Sequence, residues 1–227
     1  MSGPNVFLTK SDAAYAEVRR RILSGELAPG SVLAQYELAD SLAMSITPLR
    51  EALRRLKGEG LIELDVHRDA RVAPLHAAEA RELFEIRMAL DPLAAELAAR
   101  RRTDDDIQAL RDTARRLLPV TRNWGEEALV AHHAFHRALY RASHNDNLIG
   151  MLDGLWDKSD RYRRMGLELP PGEEPRLRDH TEHQTMMDMI IEGDAEGVGR
   201  LMRNHIALSL TAAAIAALED PRPAGRS

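Results

Sequence analysis

Only one stretch of this chain leaves a helical rhythm. In "LIELDVHRDARVAPL", residues 61–75, Leu61, Ile62 and Leu64 and then Val66, Arg71 and Val72 read as two short strands around a turn at 67–70. After Pro74 no strand pattern returns. The chain is therefore expected to be mainly α, with a single hairpin between two helical parts. Leu, Ala, Arg and Glu abound while aromatic residues make up 4%, which also favours helices over sheets.

Ahead of the hairpin three helices are expected. "DAAYAEVRRRILSG" places Ala14, Val18, Ile22 and Leu23 on one face, with Ser11 as N-cap and Gly25 as stop. "LAPGS" is a turn, and "YELADSLA" a short amphipathic helix. "MSITPLREALRRLKGEG" follows, with Ser45 or Thr47 as cap and Pro48 tolerated in the first turn. Leu49, Leu53 and Leu56 line its inner face, while Arg50, Arg54 and Lys57, at i, i+4 and i+7, lie together on another. A short helix, a turn, a capped basic helix and a hairpin describe a winged helix-turn-helix over residues 1–75.

Residues 76–220 carry about six helical segments, at roughly 76–101, 103–121, 125–144, 146–166, 173–192 and 194–219. Their short connections predict an all-helical bundle of antiparallel neighbours. "PRPAGRS", residues 221–227, is expected to be a disordered tail.

The net charge of −5 is unevenly distributed. Residues 1–75 hold ten Lys+Arg and ten Asp+Glu, so the remaining 21 cations and 26 anions carry the whole surplus. The first part is thus not globally basic, but its cations cluster, and clusters make a local footprint for phosphates. With no cysteine, disulfides and thiolate ligands are excluded, so any metal site must use His, Asp, Glu or water. No apolar run reads as a membrane span and no leader precedes the first helix, so the expected location is cytoplasmic, without membrane association.

Histidines concentrate in "HHAFHRALYRASH", residues 132–144. His132 and His136 share a helix face with Leu129 and Leu139, so they point inward, whereas His133 lies about 100° around the helix. His183 falls on a stripe with Met187 and Ile190, and His205 accompanies Leu201, Met202 and Leu208. One inward histidine is most simply a satisfied core residue. Three helices each carrying one call for something that satisfies them together, and a metal does so. Nitrogen ligands suit Zn²⁺, Ni²⁺, Mn²⁺ or Fe²⁺, with zinc favoured. His144 is expected to bond the last carbonyls of its own helix. Arg87 sits on the buried stripe Leu83, Leu90, Ala94 and Leu97 and needs an anion, for which Asp91, one turn on, is the local choice. Pro92 is expected to kink that helix.

The segment "ILSGELAPGSVLAQYELADSLAMSITPLREALRRLKGEGLI" resembles the winged-helix signature of GntR-type bacterial transcription regulators. With an all-helical second half, the chain resembles their FadR/FCD branch, and six helices lean toward its VanR-like subgroup. The resemblance implies a homodimer on a pseudo-palindromic double-stranded DNA operator. Contacts are expected from Ser45, Thr47, Arg50, Arg54 and the wing residues His67, Arg68 and Arg71. Three departures from the family pattern imply an unusual operator: Ile46 where a basic residue follows the cap, Asp69 at the wing tip, and Gln35 and Tyr36 near the basic contact of the second helix. Metal-binding FCD members use Asp-x-x-x-His on one helix and one His on each of the last two. That pattern implies His132 in the Asp position, then His136, His183 and His205. It also implies that Arg87 meets the carboxylate of a small organic acid effector.

The expected function is that of an effector-controlled repressor, not an enzyme. A regulator that senses the metal alone is the alternative. A His-ligated metalloenzyme ranks lower, because a zincin helix needs Glu where His133 stands.

Overall fold

The computed structural model describes residues 9–64, 70–118, 125–168 and 174–219. The chain divides into two compact units, Met1–Leu75 and His76–Ser227.

The first unit contains α1 (Lys10–Leu23), β1 (Val32–Leu33), α2 (Gln35–Ser41), α3 (Ile46–Gly58), β2 (Ile62–Leu64) and β3 (Ala70–Val72). Thr9, not Ser11, caps α1: its hydroxyl accepts from the Asp12 N–H at 3.1 Å while the Asp12 carboxylate accepts from the Thr9 N–H at 3.1 Å. This reciprocal arrangement places the acidic residue at the third helical position, as a capping box requires. Gly60, at φ +74°, turns the chain out of α3 into β2. The expected hairpin forms with Ile62 opposite Val72 and Leu64 opposite Ala70. A third strand, β1, pairs with the outer side of β3, giving the antiparallel order β1-β3-β2. Two residues are too few to show a period, so β1 was not legible. The helices and sheet enclose Val18, Ile22, Leu38, Leu49, Leu53, Leu56, Ile62 and Val72. The wing tip, with His67, Arg68 and Asp69, lies outside the described residues, as does the tail.

The second unit holds α4 (Ala77–Arg101), α5 (Asp104–Ala114), α6 (Gly125–Ala142), α7 (Asp146–Glu168), α8 (Glu174–Glu192), α9 (Ala195–Ala207) and α10 (Leu210–Glu219). Seven helices are described where six were expected, which removes the argument for the VanR-like subgroup. The extra boundary falls inside an apolar run with neither Gly nor Pro. There the Leu208 N–H is shared between the Asn204 and His205 carbonyls, and Ser209 N–H bonds Ile206, tightening the last turn of α9. The Ser209 carbonyl then accepts from Ala213 and opens α10. By length and composition the run Ala195–Glu219 resembles a membrane span, contrary to the sequence reading. It is broken at Leu208–Ser209, however, and its second half packs on α4 and α7.

Helix α4 is central, contacting α6, α7, α8, α9 and α10. Its buried face is built of Ala80, Ala94, Ala95, Ala98 and Ala99, small enough to let neighbours approach closely. It continues through Pro92. Proline lacks the N–H that would engage the Met88 carbonyl, and that carbonyl instead accepts from Arg203 Nη1 of α9 at 3.3 Å. Around α4 lie Phe135, Leu139, Tyr140, Leu152, Trp156, Met186, Ile190 and Met202.

Candidate functional site

Four histidines from three helices meet inside the bundle. His132 and His136 come from α6, His183 from α8 and His205 from α9, and all four are at most 5% exposed. One ring nitrogen of each lies within 4.8 Å of the others. Ring centroids stand 4.5 Å apart for His132–His136 and for His183–His205, and 4.7 Å for His132–His183.

The hydrogen bonds on the far side of two rings determine which nitrogen faces the centre. His183 Nδ1–H donates to the Asp179 carbonyl at 2.6 Å, and His205 Nδ1–H donates to Glu182 Oε2 at 2.9 Å. Both rings therefore keep a lone pair on Nε2. His183 Nε2 lies 2.9 Å from His136 Nε2, and Nδ1 of His132 is buried without a hydrogen-bond partner among the described residues. Nitrogens aimed at one another, with an orphan beside them, fit a late divalent cation held by imidazole. Burial pushes the pKa of His132, His136 and His183 well below the usual histidine value, and the neighbouring histidines and arginines add to this. The neutral ring, which is the form that ligates a metal, therefore prevails at neutral pH. Asp179, itself raised by burial, has Oδ1 3.3 Å from His205 Nδ1. The carboxylates thus stand behind the ring of His205 rather than beside the ring nitrogens that converge. Their signal in the sequence was present, since Glu182 adjoins His183 and Asp179 lies one helical turn before it.

Trp156 of α7 forms a wall of the site. Its ring lies 5.1 Å from His136 and 5.6 Å from His132. His133 stacks on it at 4.7 Å and is lowered to about 4, mainly by burial. Two guanidinium groups also face the indole, Arg163 at 4.1 Å and Arg87 at 4.9 Å. Arg87 is 3% exposed and pairs with Asp91 at 2.5 Å, the local partner foreseen from the sequence. Tyr140 donates to the same Asp91 carboxylate at 3.1 Å. Burial opposes the charge on Arg87, but Asp91 and Tyr140 more than offset it, so its pKa is raised. His144 meets its expectation in part: its backbone N–H donates to the Arg141 carbonyl of the last turn of α6 at 3.0 Å. Its side chain does not, for at φ +47° the ring leaves the helix and Nε2 meets Asp106 Oδ2 of α5 at 2.7 Å.

In the first unit, α3 presents Ser45, Thr47, Arg50 and Arg54 to solvent. Ser45 holds the N-cap position without a side-chain hydrogen bond to the helix, so its hydroxyl is available. Arg50 is steadied by its Nε donating to Gln35 Oε1 at 3.2 Å. Arg71 donates to the Gly30 carbonyl at 2.5 Å, which fastens β3 to the turn before β1. Arg55, by contrast, is taken up by Asp12 at 2.7 Å and by the Tyr15 ring.

Comparison with known proteins agrees with both units. Residues 10–72 match the bacterial regulatory proteins, gntR family, and residues 82–208 match the FCD domain. A transcriptional regulator from an unstable DNA locus of Streptomyces ambofaciens is 33% identical over 202 residues, covering 85% of this chain and 80% of that one. The transcriptional repressor GlaR of Escherichia coli K12 is 27% identical over 198 residues, covering 85% and 90%. The solved structure of E. coli McbR/YncC superposes with a TM-score of 0.75 at 23% identity, covering 88% and 94%, and shares the fold.

Proposed function

From the premise that this chain belongs to the FCD branch of the GntR-family transcription regulators, we propose that it is a cytoplasmic, homodimeric repressor released by a small organic acid at a metal-containing pocket. DNA binding and transcription regulation follow from the family. Repression is favoured by two relatives named repressors, although a third is named an activator of the Glc operon.

The observation that carries the pocket is the convergence of His132, His136, His183 and His205 in a buried cluster walled by Trp156. Four imidazoles, with no carboxylate in the Asp position of the family pattern, favour zinc or another nitrogen-preferring ion. The ion would supply a Lewis-acidic positive centre for an anionic ligand. The protein's own contribution is orientation: Glu182 and the Asp179 carbonyl fix two rings, and the apolar jacket of Phe135 and Trp156 excludes water. An acid releases DNA only if it binds the DNA-incompetent arrangement more tightly than the competent one. On the DNA side we assign Arg50 to a guanine edge or an adjacent phosphate, Thr47 to a phosphate or base, and Ser45 and Arg54 to phosphates, with Arg71 reaching the backbone from the wing; the exposure of Ser45, Thr47, Arg50 and Arg54 supports this.

The test is fluorescence anisotropy with the DNA upstream of the protein's own gene, at fixed salt. The metal-loaded protein should bind that DNA and not an unrelated duplex, and titration with small carboxylates should release it. Release by metal alone, with no further effect of any acid, would favour a metal-sensing regulator instead.

A further inference from the structure

One face of α7 carries three buried hydrogen-bond donors that find no acceptor among the described residues. Trp156 Nε1, Ser159 Oγ and Arg163 Nη1 each lack a partner, and the three residues are 1%, 0% and 3% exposed. Their spacing, i, i+3 and i+7, aligns them along a single stripe of the helix. Unsatisfied buried donors are unusual, and an unsatisfied cation more so, because each loses its water without replacement. Arg163 forms an ion pair with Asp160, but at 3.8 Å from Nη1 it is beyond hydrogen-bond reach.

The two guanidiniums at Trp156 are therefore in different situations. Arg87 already has its anion: Asp91 lies 2.5 Å away and 0% exposed, so the pair is locally neutral. An incoming carboxylate at Arg87 would have to displace Asp91 or crowd it. Arg163 brings a second buried positive charge whose ion pair with Asp160 is long, at 3.8 Å, and whose Nη1 makes no hydrogen bond among the described residues; it lies 4.1 Å above the same indole that abuts His132 and His136. Burial is the main reason its pKa is depressed, to about 10, with Arg87 adding to the effect, so it is still cationic at neutral pH.

We propose that Arg163 is the carboxylate-binding residue of the effector pocket, with Ser159 and Trp156 donating to further oxygens of the same ligand, and that Arg87 is a positioning residue held by Asp91. The ligand class that satisfies a guanidinium, a hydroxyl and an indole N–H together is a small carboxylic acid carrying additional acceptor oxygens, as in a hydroxy, oxo or second carboxyl group. This assignment rests on the acid-responsive reading above.

The experiment is calorimetric titration of the zinc-loaded full-length protein with acetate, malonate and citrate. It is run on the wild type, Arg163→Gln, Arg163→Lys and Ser159→Ala, with zinc content measured on each. The expected result is that malonate or citrate binds the wild type more tightly than acetate. Arg163→Gln then weakens that acid by about tenfold or more, as for loss of a charge-assisted bond, while zinc content is unchanged. Arg163→Lys should recover part of the affinity, because it returns the charge without the fork. An Arg163→Gln protein that binds the acid as the wild type does overturns the assignment. Should the Arg163 variants fail to fold, Ser159→Ala decides: weakened binding supports the stripe, and unchanged affinity overturns it. A wild type that holds zinc but binds none of the three acids overturns the acid-responsive reading, and this assignment with it.

Discussion

At the scale of single residues, the histidine cluster shows how tautomers are set from outside. Glu182 accepts from His205 Nδ1 at 2.9 Å and so directs Nε2 inward. Glu182→Gln keeps the side-chain shape but loses the charge and exposes the ring to the wrong tautomer. We expect zinc affinity about tenfold or more lower, measured by competition with a chromophoric chelator. A His136→Ala protein should lose zinc altogether by elemental analysis, and undiminished zinc content would refute the ligand set. The pH dependence follows from the depressed values of His132, His136 and His183. In the unfolded chain these groups titrate near ~6.5, whereas the folded state holds them neutral well below that. Stability in metal-free buffer should therefore be full above about pH 6.5 and fall as pH drops toward 5, because the unfolded chain takes up more protons. Thermal melts across that range should show it, and a flat profile would mean that the rings are not buried neutral.

At the scale of elements, α9 is positioned by its start. Asp194 caps it by accepting from Gly197 N–H at 2.9 Å, and the same carboxylate occupies the space a Cβ at Gly197 would need, 1.9 Å away. Asp194→Ala should cost about 1 kcal/mol in denaturant unfolding. Further along α9, a Cβ at Gly199 would fall 2.5 Å from Oε1 and 2.7 Å from Cγ of the Glu96 side chain of α4, so a side chain there must displace that of Glu96. Gly199→Val should push α9 from α4 and lower zinc affinity, since His205 rides on α9. Helix α3 is the corresponding element of the first unit. Arg50→Ala should weaken operator binding by about 1–3 kcal/mol and relax specificity at one base pair. If Arg50→Ala binds operator and unrelated DNA as the wild type does, the recognition face is misassigned.

At the scale of the whole molecule, the two compact units keep separate cores, one under α1, α3 and the sheet, the other around α4. The four histidines proposed to hold zinc all belong to the second. Calorimetry with and without chelator should therefore move the transition of the bundle, by about 4 kcal/mol at a thousandfold excess over Kd, and leave that of the winged-helix unit in place. A shift of both would mean that they unfold as one. The sequence by itself determined the two units, the helix-turn-helix, the hairpin and the inward direction of His132, His136, His183 and His205, because these depend on periodicity, caps and Gly/Pro punctuation within a few residues. It also identified Asp91 as partner of Arg87, a contact within one turn. Other features depended on the tertiary structure. Strand β1 forms only because β3 offers it an edge, and Ser209 divides α9 from α10 without a breaking residue. His144 answers to Asp106 from another helix. Arg163 is buried against Trp156 only once α7 is packed in the bundle, although by pattern alone it is one more arginine in "DRYRRM". Local patterns fix which way a side chain points along its own helix. What it meets there is decided by helices distant in sequence, through burial and the requirement that buried charges and donors be satisfied.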